Sequence, residues 1–242
     1  MENEIRLSVV IPAYNNQGVI AETLLDVDRY LSKQDYTYEI IVVSDGSKDN
    51  TVSIVEKTKQ LVKNLRLIEN KENHGKGYVV RQGMLEAKGE YRMFMDADNS
   101  TKIDHLDLFW PETKHYDIVI GSIEVKGAKI HEIGPGYRRW LGKLAKYIIR
   151  VVAGLWEIKD TQRGFKLFNE KSAEATFSKQ TLARWGFDFE ILLLAKKMGF
   201  KIKEMPIDWN NPAGGVNLMS YFKTFFELVK IKYNLLTNKY KL

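Results

Sequence analysis

The stretch EIIVVSDGSKDNTVSIVEKTKQLV, residues 39–62, decides the fold class. Its opening, Glu39 to Val43, is a short β-branched run suited to a buried strand, and Thr51 to Val62 places apolar residues at helical spacing. A polar Ser-Asp-Gly-Ser turn separates the two. Working outward, Leu7 to Ile11, Leu65 to Glu69 and Tyr91 to Met95 read as further strands, and Val19 to Leu31 and Gly77 to Ala87 as further helices. The order β-α-β-α-β-α-β predicts an α/β domain: a mainly parallel sheet flanked by helices, with right-handed crossovers. Ligands of such sheets bind at the carboxyl ends of the strands, so function is sought in the loops after Ile11, Val43, Glu69 and Met95. A fifth strand is expected at Asp117 to Gly121. Helices are expected near Arg138 to Leu155, Ser172 to Phe177, Phe189 to Met198 and Leu218 to Leu235, and extended segments at Phe165 to Phe168 and Lys201 to Ile207. No internal repeat is present.

Composition narrows the classes. The 242 residues suffice for one buried core, and 44% hydrophobic with 28% charged residues is ordinary globular usage. Cysteine is absent, which removes disulfides, thiolate nucleophiles and cysteine metal sites. Acidic residues precede the first apolar run, so no signal peptide is expected, and no apolar run is long enough to span a bilayer. The net charge of +6 is regional: residues 136–159 hold six basic residues against Glu157, and residues 217–242 hold five against Glu227. The rest of the chain is slightly acidic. Both segments are also rich in aromatic and aliphatic residues. They fit helices lying on an anionic membrane surface, or a solvated basic face over a packed apolar one. No nucleic-acid reader motif accompanies the basicity, so nucleic acid is not expected as a partner.

Chemistry-bearing residues collect at the strand ends. Pro12-Ala13-Tyr14-Asn15-Asn16 offers an aromatic face and exposed amides, and Asp45 opens the turn after the second strand. Asn73-His74-Gly75-Lys76-Gly77 is a glycine-interrupted loop entering a helix, which permits backbone amides to approach a phosphate. His74 reads as a loop residue. The fourth strand runs into Asp96-Ala97-Asp98, and residues i and i+2 of an extended chain face one side. Two carboxylates there can converge on one divalent cation that bridges a nucleotide diphosphate. Asp26-Val27-Asp28 has the same spacing but lies in a helical stretch, where the side chains diverge by about 200°; that pair is expected to be solvated.

These motifs together resemble the family 2 glycosyltransferases of the GT-A (Rossmann-like) fold. Residues 159–168, KDTQRGFKLF, and 184–190, RWGFDFE, look like the polyprenyl-phosphate branch, most of all the dolichyl-phosphate glucosyltransferases. The resemblance runs from about Leu7 to Asn211. It implies donor binding by Pro12, Ala13, Tyr14, Asn16, Asp45, Lys76, Asp96, Ala97 and Asp98, with Mg²⁺ or Mn²⁺ held by Asp96 and Asp98. It implies acceptor binding by Gln162, Arg163, Lys166 and Arg138, and catalytic carboxylates among Asp188, Asp160 and Glu190. The local residues alone make 187–197 an amphipathic helix with acidic residues in its first turn. Four positions depart from the family pattern: Ser44 and Asn16 replace acidic residues, and Ile123 and Asn217 stand where relatives often carry basic ones. Lys126, Lys129, Arg138 and Arg163 are the substitutes for acceptor-phosphate contact.

The implied enzyme is an inverting, metal-dependent hexosyltransferase that moves glucose from UDP-glucose to a polyprenyl phosphate, peripherally bound at the cytoplasmic membrane face. Residues 1–212 would form the transferase domain, with 136–159 a candidate interfacial helix, and 213–242 a basic amphipathic extension. A phosphate monoester has a second pKa of about 6, so such an acceptor hardly needs a general base. The rivals are a soluble family member that glycosylates a sugar hydroxyl, where a base matters, and a catalytically silent nucleotide-sugar-binding module.

Overall fold

The structure is a computed structural model that describes residues 4–131, 154–210 and 218–242, with Tyr147 and Arg150 between them, and only the backbone of 218–225. Most of the expected helix at 138–155 and the acceptor candidate Arg138 therefore lie outside the described residues, which include only Tyr147, Arg150, Gly154 and Leu155 of that range. So does Asn217.

The strands are β1 (Leu7–Ala13), β2 (Tyr38–Asp45), β3 (Leu65–Asn70), β4 (Tyr91–Met95), β5 (Ile118–Ser122), β6 (Lys129–Ile130), β7 (Phe165–Asn169), β8 (Ile202–Pro206) and β9 (Asp208–Trp209). The helices are α1 (Ile20–Leu31), α2 (Thr51–Thr58), α3 (Lys76–Glu86), α4 (Leu106–Phe109), α5 (Glu170–Lys179), α6 (Phe187–Lys197) and α7 (Leu218–Leu236). Seven strands form one sheet in the order β3-β2-β1-β4-β7-β5-β8, and β6 pairs with β9 in a small ribbon. Pairings are parallel except around β7, which runs antiparallel to both β4 and β5. The mainly parallel α/β architecture is the expected one. The reversed strand is a feature that apolar runs cannot reveal, because period-2 patterning says nothing about strand direction.

Alternation along β1 shows how the layers form. Val9 and Ile11 face a cluster with Ile20, Leu24 and Val27 of α1, whereas Val10 faces the opposite cluster with Val79, Val80 and Met84 of α3. The second cluster also holds Phe94, Phe168, Phe177 and Phe187; the Phe94 ring centroid lies 5.7 Å from that of Phe187 and 6.4 Å from that of Phe177. Nine consecutive residues of α6, from Phe187 to Ala195, are buried. That corrects the amphipathic reading of this segment: α6 is covered on all sides, since α5 packs on one flank and α7 adds Leu228 and Ile231 to the same core.

The strand order reverses between β1 and β4, which puts a crevice at their carboxyl ends. Asp26 and Asp28 are not simply solvated. Asp26 accepts from Asn99, just past β4, and Asp28 accepts from the Tyr38 hydroxyl. Burial beside that carboxylate pushes the Tyr38 phenol up to about 12.

Candidate active site

The crevice holds a cavity of about 540 Å³. Pro12, Ala13, Tyr14, Asn16, Asp45, Lys76, Asp96, Ala97 and Asp98 all line it, so residues from three strand ends and one helix start meet there. The walls are completed by Asn73, Gly75, Val79, Arg184 and Trp185. Arg184 and Trp185 had no assigned role in the sequence reading. The available signal was the Arg-Trp-Gly triplet directly ahead of the mainly apolar run 187–195.

Side-chain hydrogen bonds fix the loops. Asn15 and Gln17 of the first loop exchange bonds with Ser47, Lys48, Asp49 and Asn50 of the second, and the Asn16 amide donates to Thr51 Oγ1 at 2.8 Å. The Asn16 side chain itself accepts from the Tyr14 amide at 2.8 Å, which sets the tyrosine at the rim. Asp45 uses both oxygens on the third loop, accepting from His74 N at 2.7 Å and Gly75 N at 2.9 Å. Gly75 has φ 103°, a left-handed conformation that glycine alone adopts readily, and a Cβ there would collide with the Ala183 carbonyl. His74 is a loop residue whose ring lies against Tyr78.

Asp96 sits between two neighbours. Its amide donates to the Gly164 carbonyl at 3.1 Å, and its carboxylate forms an ion pair with the Lys76 ammonium. A Cβ on Gly164 would overlap that carboxylate, so the 159–168 motif and the Asp-Ala-Asp turn touch through a glycine. Burial pulls the Lys76 ammonium down, but the carboxylates of Asp96, Asp188 and Asp98 outweigh it and hold the group above its ordinary range. Asp98 accepts from the Ser100 amide at 3.0 Å. The two carboxylates suit a hard divalent cation. Among the described residues no group of three or more acidic or histidine side chains could hold one, so diphosphate and water would have to supply the remaining ligands.

The three candidate catalytic carboxylates do not line the cavity. Asp188, 2% exposed, faces Lys166 Nζ at 2.5 Å, and Lys166 also donates to the Arg163 carbonyl. Burial pushes the Asp188 carboxyl up and the Lys166 ammonium down, each opposed by its partner. Lys166, the acceptor-binding candidate, is 0% exposed, and its ammonium pairs with Asp188 rather than lining the cavity. Glu190 is also 0% exposed and accepts from Thr181 N and Oγ1, Leu182 N and the Tyr240 hydroxyl. It ties Tyr240 to the loop ahead of α6 and stands away from the cavity lining, apart from the donor-side candidates. Asp160, 0% exposed, accepts from Ile123 N, Gln162 N and Arg163 Nε.

Gln162 and Arg163 are half-buried beside Gly164. The Arg163 guanidinium stacks on Trp209 at 4.4 Å to the ring centroid and leans on Asp160 at 3.2 Å. Lys126 and Lys129 are exposed, with Lys129 3.8 Å from Asp208. Ser44 is buried and shares a hydroxyl contact with Ser47, and Ile123 packs against the α1-side core.

Comparison with known proteins agrees with this geometry. The family model for glycosyl transferase family 2 matches residues 8–177. A dolichyl-phosphate beta-glucosyltransferase of Trichomonas vaginalis is 34% identical over 95% of this chain and 71% of its own length. One from Saccharomyces cerevisiae is 35% identical over 88% of this chain and 69% of its own. Among solved structures, glucosyl-3-phosphoglycerate synthase from Mycobacterium tuberculosis, in complex with Mn²⁺, uridine diphosphate and glucosyl-3-phosphoglycerate, superposes with TM-score 0.65 at 15% identity. That match covers 96% of this chain and 79% of the other. At that identity the likeness shows the fold, which is the expected GT-A architecture.

Proposed function

Since the chain belongs to glycosyl transferase family 2, we propose that it transfers glucose from UDP-glucose to dolichyl phosphate or a related polyprenyl phosphate, with inversion at the anomeric carbon. The donor diphosphate lies in the crevice between β1 and β4, with Tyr14 and Asp45 toward the nucleoside and Lys76 toward the phosphates. Asp96 and Asp98 would hold Mg²⁺ or Mn²⁺, which when bound supplies positive charge against the departing diphosphate. The bond from the anomeric carbon to the diphosphate oxygen breaks, and an oxygen of the acceptor phosphate bonds to that carbon from the opposite face. Arg163, held by Asp160 and Trp209, stands beside Gly164 on the side where the acceptor would approach.

The observation that carries a phosphate rather than a hydroxyl acceptor is the state of Asp188. A hydroxyl needs a base with a free oxygen at the reaction centre, whereas Asp188 is buried against Lys166 outside the cavity. A phosphate monoester is already largely anionic at neutral pH and needs no proton removed.

Membrane docking through α7 forms part of this reading. Leu228, Ile231 and Asn234 turn inward, while Phe226, Val229, Tyr233 and Leu236 are exposed along the outer face with Lys230 and Lys232 beside them. No helix among the described residues is long and apolar enough to cross a membrane. A peripheral contact at the cytoplasmic face fits that surface. The experiment is a panel of nucleotide sugars against short polyprenyl phosphates and simple sugars, scored for product and released nucleotide. Glucosyl polyprenyl phosphate formed from UDP-glucose is the expected result. Transfer to sugar hydroxyls alone would replace the lipid reading with the soluble rival, and nucleotide-sugar binding without any product would leave a silent binding module.

A further inference from the structure

Lys76 is the cation already present at the Asp96 carboxylate. Asp96 itself is fixed: it follows directly on β4, its amide is bonded to the Gly164 carbonyl, and Gly164 packs against its carboxylate. Lys76 reaches it from another element. It sits at the first position of α3 on a four-carbon stem, its side chain 20% exposed to the cavity, with its ammonium 5.5 Å from the centroid of the exposed Trp185 ring. With no third acidic or histidine ligand in reach among the described residues, the protein offers a divalent cation two carboxylates, one of them already neutralised.

We infer that Lys76 is a displaceable counter-ion which competes with the divalent cation for Asp96, so that metal and nucleoside diphosphate enter the site as a coupled pair. This rests on the reading of Asp96 and Asp98 as the metal carboxylates. The ammonium paired with Asp96 disfavours a second cation there by repulsion at short range. A diphosphate in the cavity offers that ammonium a stronger anion a short swing away. Its departure exposes the Asp96 carboxylate just as the phosphate oxygens arrive to complete a coordination shell. By linkage, whatever the diphosphate gains from the metal, the metal gains from the diphosphate. Lys76 is thus a positioning residue that keeps the protein from binding metal in the absence of donor.

The test measures Mn²⁺ binding by the electron paramagnetic resonance of free Mn²⁺, with and without UDP, in the wild type, Lys76→Met and Lys76→Arg. Circular dichroism confirms each fold, and Lys76→Gln serves if the methionine variant does not fold. The wild type should bind Mn²⁺ alone weakly and far more tightly with UDP. Lys76→Met should bind Mn²⁺ alone roughly tenfold more tightly than the wild type, within the ordinary range of coupling between two ligands, and UDP should add less. Lys76→Arg, which keeps the charge, should behave as the wild type. If Lys76→Met binds Mn²⁺ alone no better than the wild type while both bind it with UDP, the counter-ion role is overturned and the metal reading stands. If saturating UDP brings no Mn²⁺ to any of the proteins, the metal reading falls and this inference with it.

Discussion

Lys166 Nζ lies 2.5 Å from Asp188 Oδ1, with the two side chains 0% and 3% exposed. The pair joins β7 to α6 across the core, and the charge of Asp188 reaches Lys76 and through it the cavity wall. The contact buries the charge of Asp188, the first catalytic candidate of the sequence, against a cation.

Removing one half of that pair should therefore cost stability before it costs chemistry. Asp188→Asn leaves a buried ammonium without its counter-charge and should lose about 3–5 kcal/mol in urea denaturation. Replacing both residues, as Lys166→Met with Asp188→Leu, should recover most of it. Asp98→Asn, at the cavity wall, should stay within about 0.5 kcal/mol of the wild type yet abolish transfer, as should EDTA. An Asp188→Asn protein that is fully stable and as inactive as Asp98→Asn would point to base catalysis on a hydroxyl acceptor.

Gly164→Ala places a methyl group on the Asp96 carboxylate. The sheet around it has its own pairings, so the fold should survive while metal-dependent UDP binding falls by at least tenfold, a loss of about 1.4 kcal/mol. Calorimetry with UDP and Mn²⁺ reads this directly. Unchanged binding would mean that Asp96 has room to move, against the packing described.

Glu190→Gln swaps one acceptor oxygen for an amide among four donors from Thr181, Leu182 and Tyr240. The expected cost is about 1–3 kcal/mol of stability from donors left unmatched, with turnover per folded molecule unchanged. A folded variant with no activity would restore a catalytic role to this residue.

Glu227 of α7 accepts from the Gly186 amide at the start of α6. Partial burial raises its carboxyl above the ordinary value of 4.5, against the opposing pull of the Gly186 hydrogen bond, while nearby Glu190 adds to the rise. Because the folded value exceeds the unfolded one, this group contributes stability in full below the unfolded value and loses it as pH rises through the folded one. Glu227→Gln should abolish that contribution to the pH slope. Denaturation of wild type and variant at pH 4 and pH 7 should show the variant gaining relative to the wild type at the higher pH; an equal difference at both would contradict the assignment.

Membrane binding through α7 should depend on both halves of its outer face. Phe226→Ser with Tyr233→Ser removes apolar burial, and Lys230→Glu with Lys232→Glu reverses attraction worth roughly 1 kcal/mol per residue near an anionic surface. Each double variant should sediment less with anionic vesicles, and wild-type binding should weaken as salt shortens the Debye length below about 8 Å. Absence of wild-type binding at low salt would remove the interfacial reading.

Much of the fold was legible because its signals are local. The strand at Tyr91–Met95 and the helix from Leu218 fall where period and apolar content put them. The edge where the loops meet could be named in advance because a parallel strand order forces them together, and the family resemblance then picked out the nine donor-side candidates within them. Roles on the acceptor side were less legible. Asp188, Asp160 and Glu190 look alike in sequence and are all buried, and only their partners tell them apart.

The sequence by itself determined the α/β order, the edge at which the loops gather, and the Asp-Ala-Asp turn at the mouth of β4, since each follows from spacing over a few residues and from the handedness of crossovers. Tertiary structure alone decided the direction of β7, the burial of α6 on all sides, and the occupation of each charge. Lys166 meets Asp188 across 22 positions, Lys76 meets Asp96 across 20, and Tyr240 meets Glu190 across 50. An ion pair or a buried hydrogen bond depends on proximity and desolvation, and neither is encoded in the interval between two residues along the chain.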